Sequence, residues 1–167
     1  MTRIRFDGCV LSLGDEAPRS AKATIGRVGE KAPQMIDLSE PRNLSAEERV
    51  LLDFILAGPN VRPELRAQGD SAEAVSVCDC GCRSVGLRPD PAVPDAPYTA
   101  KDSYVGSDTY IGLTADGLSA EGTDVEVTLH VISGRMTELE IWDGSDRGGE
   151  SRGELPDIAT LRYRKQV

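Results

Sequence analysis

The residues whose type and spacing could do chemistry are Cys78, Cys80 and Cys82, in the run Cys78-Asp79-Cys80-Gly81-Cys82. Thiolates are soft ligands that suit zinc and cuprous copper. His130, the only histidine, could complete a Cys₃His set, a known zinc combination. Two other uses compete. Free cysteines pack into cores as small hydrophobes, and a thiol of depressed pKa serves as a nucleophile or redox group. Structural zinc sites usually space paired cysteines as C-x₂₋₄-C, and Cys-x-Cys is not that knuckle. An i, i+2 disulfide lies near the upper limit of Cα separation and is strained.

Geometry sharpens the choice. On a regular strand the three cysteines face one side, and the outer Cα atoms lie roughly 13 Å apart. Zinc with bonds of about 2.3 Å holds its sulfurs roughly 3.8 Å apart. A straight strand therefore cannot gather three thiolates, and the backbone must bend. A second argument gives the same bend. Val75, Val77, Val85 and Leu87 share one parity, which an unbroken strand would also give to Asp79 and Arg83. Burying two unpaired charges costs several kcal/mol each. The sequence thus predicts a bulge or turn around Asp79–Gly81.

The elements that must position these residues are legible in part. Ser45-Ala46-Glu47-Glu48 predicts a capping box at a helix start. Val50, Leu51, Leu52, Phe54 and Ile55 give that helix a wide apolar stripe, and Gly58-Pro59 ends it. A second, shorter helix begins at Pro63. The strongest strand is Val125 to Val131, turned at Ser133-Gly134 into a return strand from Met136 to Trp142. Its alternation puts His130 on a polar face and Glu138, Glu140 and Trp142 opposite Leu139 and Ile141. These polar faces read as solvated, with Trp142 covering the sheet. Short strands are expected at Ala23–Val28, Tyr104–Val105 and Tyr110–Ile111. Loops are expected at 14–22, at the proline-rich 88–100 and at the Gly-rich 143–153, which lacks a phosphate-binding pattern. Residues 155–163 add a short helix or edge strand.

Composition bounds the function. Aromatics make up 4% of the chain, so the core must come from Val, Leu, Ile and Ala. The net charge is -9. Residues 1–66 hold ten basic and ten acidic side chains, which leaves nine basic and eighteen acidic ones in 67–167. Such a surface repels phosphate backbones, so no nucleic-acid partner is expected, and a basic protein partner fits better. No run approaches the about 20 apolar residues of a membrane-spanning helix, and the N-terminus lacks an apolar leader core. A cytoplasmic location with reduced cysteines is the expectation, without membrane association.

Three segments together carry a resemblance. They are Leu44-Ser45-Ala46-Glu47-Glu48-Arg49-Val50-Leu51-Leu52-Asp53-Phe54, then Cys78-Asp79-Cys80-Gly81-Cys82, then Leu129-His130-Val131-Ile132-Ser133-Gly134-Arg135-Met136-Thr137-Glu138-Leu139-Glu140-Ile141. In this order and spacing the chain resembles a family of small uncharacterised bacterial proteins of actinomycete type. Its members have a helix, a Cys-x-Cys-Gly-Cys stretch and a C-terminal β-hairpin. The resemblance spans about residues 44–142 and implies no activity. The family often has proline after the last cysteine, where this chain has Arg83.

The expected fold is α+β: an N-terminal β unit, then two short helices packed on one face of a mostly antiparallel sheet. Residues 1–43 are expected as an N-terminal extension packed on a main domain of 44–167. The expected function is a non-enzymatic protein-binding or regulatory module. The alternative is a metal-binding protein, for zinc or copper, that uses Cys78, Cys80, Cys82 and His130.

Overall fold

A computed structural model describes residues 2–5, 10–13, 34–59, 61–97, 110–144 and 153–164, the first two stretches as backbone. The strands expected at 23–28 and 104–105, the loop at 14–22 and most of the loop at 143–153 lie outside the described residues. Strands β1 (Thr2–Arg5) and β2 (Val10–Leu13) pair antiparallel with Ile4 opposite Leu11. Next come β3 (Met35–Asn43), helices α1 (Ala46–Leu56) and α2 (Pro63–Ser71), β4 (Glu73–Cys78) and β5 (Val85–Arg88). They are followed by β6 (Tyr110–Leu118), β7 (Asp124–Ile132), β8 (Arg135–Trp142), a 3₁₀ turn over Ile158–Thr160 and β9 (Arg162–Tyr163).

Seven strands form one antiparallel sheet in the order β3-β4-β5-β8-β7-β6-β9. With two helices the fold is α+β. β3 pairs with β4, so the strand that ends at residue 43 is hydrogen-bonded into the same sheet as the strands after it. β6 runs on to Leu118, well past the Tyr110–Ile111 expected. Gly112, Asp116 and Gly117 weaken its strand signal, but unbroken pairing with β7 holds it. No helix among the described residues is long and apolar enough to cross a membrane.

The capping box forms as expected. The Glu48 amide donates to Ser45 Oγ at 3.2 Å, and the Ser45 amide donates to Glu48 Oε2 at 2.7 Å. Arg42 adds two further bonds to the same carboxylate, at 2.7 and 2.8 Å. Gly58 follows the end of α1 for a reason other than a left-handed turn. A Cβ there would meet Ile55 O and the Tyr163 ring, each at 2.9 Å. That ring stacks on Phe54 with centroids 4.7 Å apart, so the C-terminal edge strand is locked to α1.

The helices cover one face of the sheet. Leu51, Leu52, Ile55, Leu56 and Leu65 meet Val125, Val127, Leu129 and Val131 of β7 and Leu139 and Ile141 of β8. Each fully buried aliphatic side chain contributes about 1.5–3 kcal/mol of transfer free energy. Gln68 of α2 is the polar exception and is fully buried. Its amide donates to Gly134 O at 2.9 Å and Pro94 O at 3.0 Å, and its Oε1 accepts from the Met136 amide at 3.0 Å. Arg135 donates to Asp95 Oδ1 and to Val93 O, both at 2.7 Å. The proline-rich segment before residue 98 is therefore pinned to the β7–β8 turn.

Burial opposes the charge on Glu48, but the Arg42 guanidinium and the Ser45 amide outweigh it and hold its carboxyl below the usual range. Such a lowered pKa stabilises the fold above the unfolded value of about 4.3, and the contribution is lost as pH falls through the folded value. Glu48→Gln is expected to cost about 1 kcal/mol near neutral pH and to show a shrinking deficit as the medium is acidified below about pH 4. Urea unfolding followed by circular dichroism across that range measures the difference; a deficit independent of pH would refute the charge argument.

Candidate metal centre

The bend required by the cysteine run is present. β4 stops at Cys78, the chain turns through Asp79 and Cys80, and Gly81 takes φ +84° before β5 starts at Val85. A side chain at that φ costs roughly 1–2 kcal/mol, which is why glycine fits there. Asp79 and Arg83 both emerge exposed, so neither charge enters the core. The parity of β4 also departs from plain alternation. A register shift between Ala74 and Ser76 leaves Val75 out of the pairing, and Ala74 and Val77 face the helices.

Both flanks hold the turn. From the β3 side, the Gln34 amide donates to Asp79 Oδ1 at 2.7 Å and the Asp79 amide donates to Gln34 O at 2.9 Å. From the β8 side, the Ile141 amide donates to Ser84 Oγ at 2.9 Å, and Cys82 Sγ lies 3.2 Å from the same oxygen. The Cys78 amide donates to Ser84 O at 3.3 Å.

Cys78, Cys80 and Cys82 come together here. Their three Sγ atoms lie within 4.8 Å of one another, close enough to hold a metal ion. The Cys78 and Cys80 sulfurs lie 2.9 Å apart. Cys78 is buried, and the other two are half-buried. Burial pushes the Cys80 thiol up; hydrogen bonds from Cys78 and the Cys82 backbone oppose it, and the Cys82 side chain adds to it. A raised thiol pKa is the reverse of what an activated nucleophile needs.

His130 is not brought to this group. It sits on β7, separated from β4, whose last residue is Cys78, by β5 and β8. At about 4.8 Å per strand that separation exceeds 10 Å. Its ring is engaged elsewhere: Nδ1 lies 2.5 Å from the Tyr110 hydroxyl and Nε2 lies 2.8 Å from Glu140 Oε2. The arrangement that satisfies all three groups has the phenol donating to Nδ1 and Nε2–H donating to the carboxylate.

This cluster lies on the sheet face away from the helices, and it corrects the reading of that face as solvated. His130 and Glu138 are each 3% exposed, Glu140 and Tyr110 each 7%. Glu140 Oε1 is buried without a hydrogen-bond partner among the described residues. Trp142 is half-buried on this face, across from Glu126. The pairs follow from register: Glu138 is directly opposite His130, while Glu140 and Tyr110 reach it diagonally. Gly112, directly opposite His130 on β6, leaves the space into which Tyr110 leans. The signal available in the sequence was the lone histidine facing two glutamates across a two-residue turn, with a glycine strand beside it.

Comparison with family models, curated proteins and solved structures returns no match.

The two clusters have separable energetics. His130→Ala leaves the buried Glu140 carboxylate without its partner and is expected to cost about 3 kcal/mol in the metal-free protein. Cys80→Ser, at a half-buried turn position, is expected to change stability by less than about 1 kcal/mol under the same conditions. Chemical denaturation in the presence of a chelator compares them; equal losses would contradict the assignment of His130 to a structural network.

Proposed function

We propose that this protein binds a thiophilic metal ion, zinc or cuprous copper, through the thiolates of Cys78, Cys80 and Cys82. One observation carries the reading: a single turn, fixed by β3 on one side and β8 on the other, gathers three sulfurs within 4.8 Å. Soft sulfur ligands favour these ions over magnesium or calcium. Binding replaces thiol protons, so affinity rises with pH, and the raised Cys80 pKa extends that rise to higher pH. A bound ion would also tie the end of β4 to the start of β5 through bonds stronger than any hydrogen bond in the turn.

A regulatory role with a basic protein partner is the second reading. It is supported by the concentration of acidic side chains in residues 67–167, which hold eighteen acids against nine bases. A metal-stabilised turn on such a surface suits a module whose partner binding depends on metal. Membership of the actinomycete-type family rests on the three segments of residues 44–142 and belongs to the same proposal.

Elemental analysis of untagged protein purified without chelator tests the reading. About one zinc or copper per chain is expected, retained in His130→Gln and lost in Cys80→Ser. Metal below about 0.2 per chain, with no uptake by the reduced protein in titration, would overturn it.

A further inference from the structure

We propose that the centre is redox-gated: a low-molecular-weight disulfide converts Cys78 and Cys80 to a disulfide, and the metal ion leaves. The inference rests on the metal-binding reading above and adds its regulation. An i, i+2 cysteine pair on a regular strand is too extended to close easily. Here the chain turns at Asp79–Cys80, and the two sulfurs already lie in contact at 2.9 Å. Cys82 is the third member of the group, and its sulfur also lies 3.2 Å from Ser84 Oγ. Exposure assigns the order of events. Cys80 is half-buried and reachable, whereas Cys78 is buried.

The chemistry balances. Cys80, held as a thiolate when it binds the ion, attacks one sulfur of the small disulfide and expels one small thiolate, leaving a mixed disulfide on Cys80. The Cys78 thiolate then attacks the Cys80 sulfur and expels the second small thiolate. Two protein thiolates have lost two electrons in total, and the small disulfide has gained them. The expelled thiolates take protons from solvent. The ion keeps its oxidation state but loses two of its three sulfur ligands, and Cys82 alone does not retain it. The short loop makes the disulfide strained and hence readily reduced, as a reversible gate requires.

Zinc-loaded protein treated with glutathione disulfide tests the proposal. Zinc is followed with a chromogenic chelator, and disulfides are mapped after alkylating the free thiols. Proteolysis on the N-terminal side of Asp79 separates Cys78 from Cys80, so their bond appears as two linked peptides. Zinc release equimolar with a Cys78–Cys80 disulfide is expected, reversed by a dithiol reductant. Cys78→Ser should stop at a glutathione adduct on Cys80, whereas Cys82→Ser should still close the disulfide. Zinc held by the oxidised protein, a bond to Cys82, or adducts alone in the parent protein would overturn the gate. A reduced protein that takes up no zinc would instead overturn the metal reading, and the gate with it; the disulfide map then shows separately whether the thiol pair was correctly assigned.

Discussion

One extra residue in β8 decides what each face of this sheet contains. The Ser133-Gly134 turn has both residues at positive φ and pairs Ile132 with Arg135 and Val131 with Met136. Continued without interruption, that register would set Leu129 opposite Glu138 and Val127 opposite Glu140. Two carboxylates would then enter the helix-covered core. Instead Thr137 is left out of the ladder, His130 pairs with Glu138, and Leu139 and Ile141 turn to the core. A bulge forfeits about one ladder hydrogen bond, of the order of 1 kcal/mol, whereas each buried unpaired carboxylate costs several. The bulge wins by a wide margin, and Thr137 Oγ1 recovers part of the loss by donating to His130 O.

The same logic governs the cysteine turn. β4 carries its own register shift near Val75, and its chain reverses at Asp79–Gly81 because Asp79 and Arg83 must reach solvent. The three sulfurs converge as a consequence of that reversal. Both candidate clusters thus arise where apolar alternation fails and the backbone yields. They serve different ends. The histidine cluster is buried and bonded diagonally across β6, β7 and β8, with Glu140 Oε1 left without a hydrogen-bond partner among the described residues. The sulfurs stand at a turn between two short strands, with Cys78 buried and Cys80 and Cys82 half-buried.

The helices connect the two ends of this arrangement. Gln68 of α2 clamps the β7–β8 turn that sets the register, and the Gly134 carbonyl it bonds also accepts from the Ala96 amide at 2.8 Å. A Cβ at Gly134 would fall 2.2 Å from Ala96 O, so glycine is needed there for space as well as for its φ of +79°. Pinning the proline-rich segment before residue 98 is part of the same contact. That pinning was not legible locally, because prolines describe how a segment is extended and not what it touches.

Much was legible from residue order. The capping box of α1, the Pro63 helix start, the β7–β8 hairpin and the bend at Gly81 follow from local chemistry: a hydroxyl and a carboxylate at set spacing, a missing amide proton, a positive φ, a charge that cannot be buried. The α+β class follows from the change of period between the two parts. What only the tertiary structure decided is which polar residues meet. His130 looked like a fourth ligand because residue type is visible in a sequence, but its distance from the cysteines is set by strand order, β4-β5-β8-β7, which no local pattern encodes. Glu138 and Glu140 looked solvated because alternation marks a face without saying whether it is covered. The cysteine spacing determined that three thiols could converge if the chain bent; the contacts of Gln34, Ser84 and Ile141 decided how, since a turn takes its final shape from the strands on either side of it.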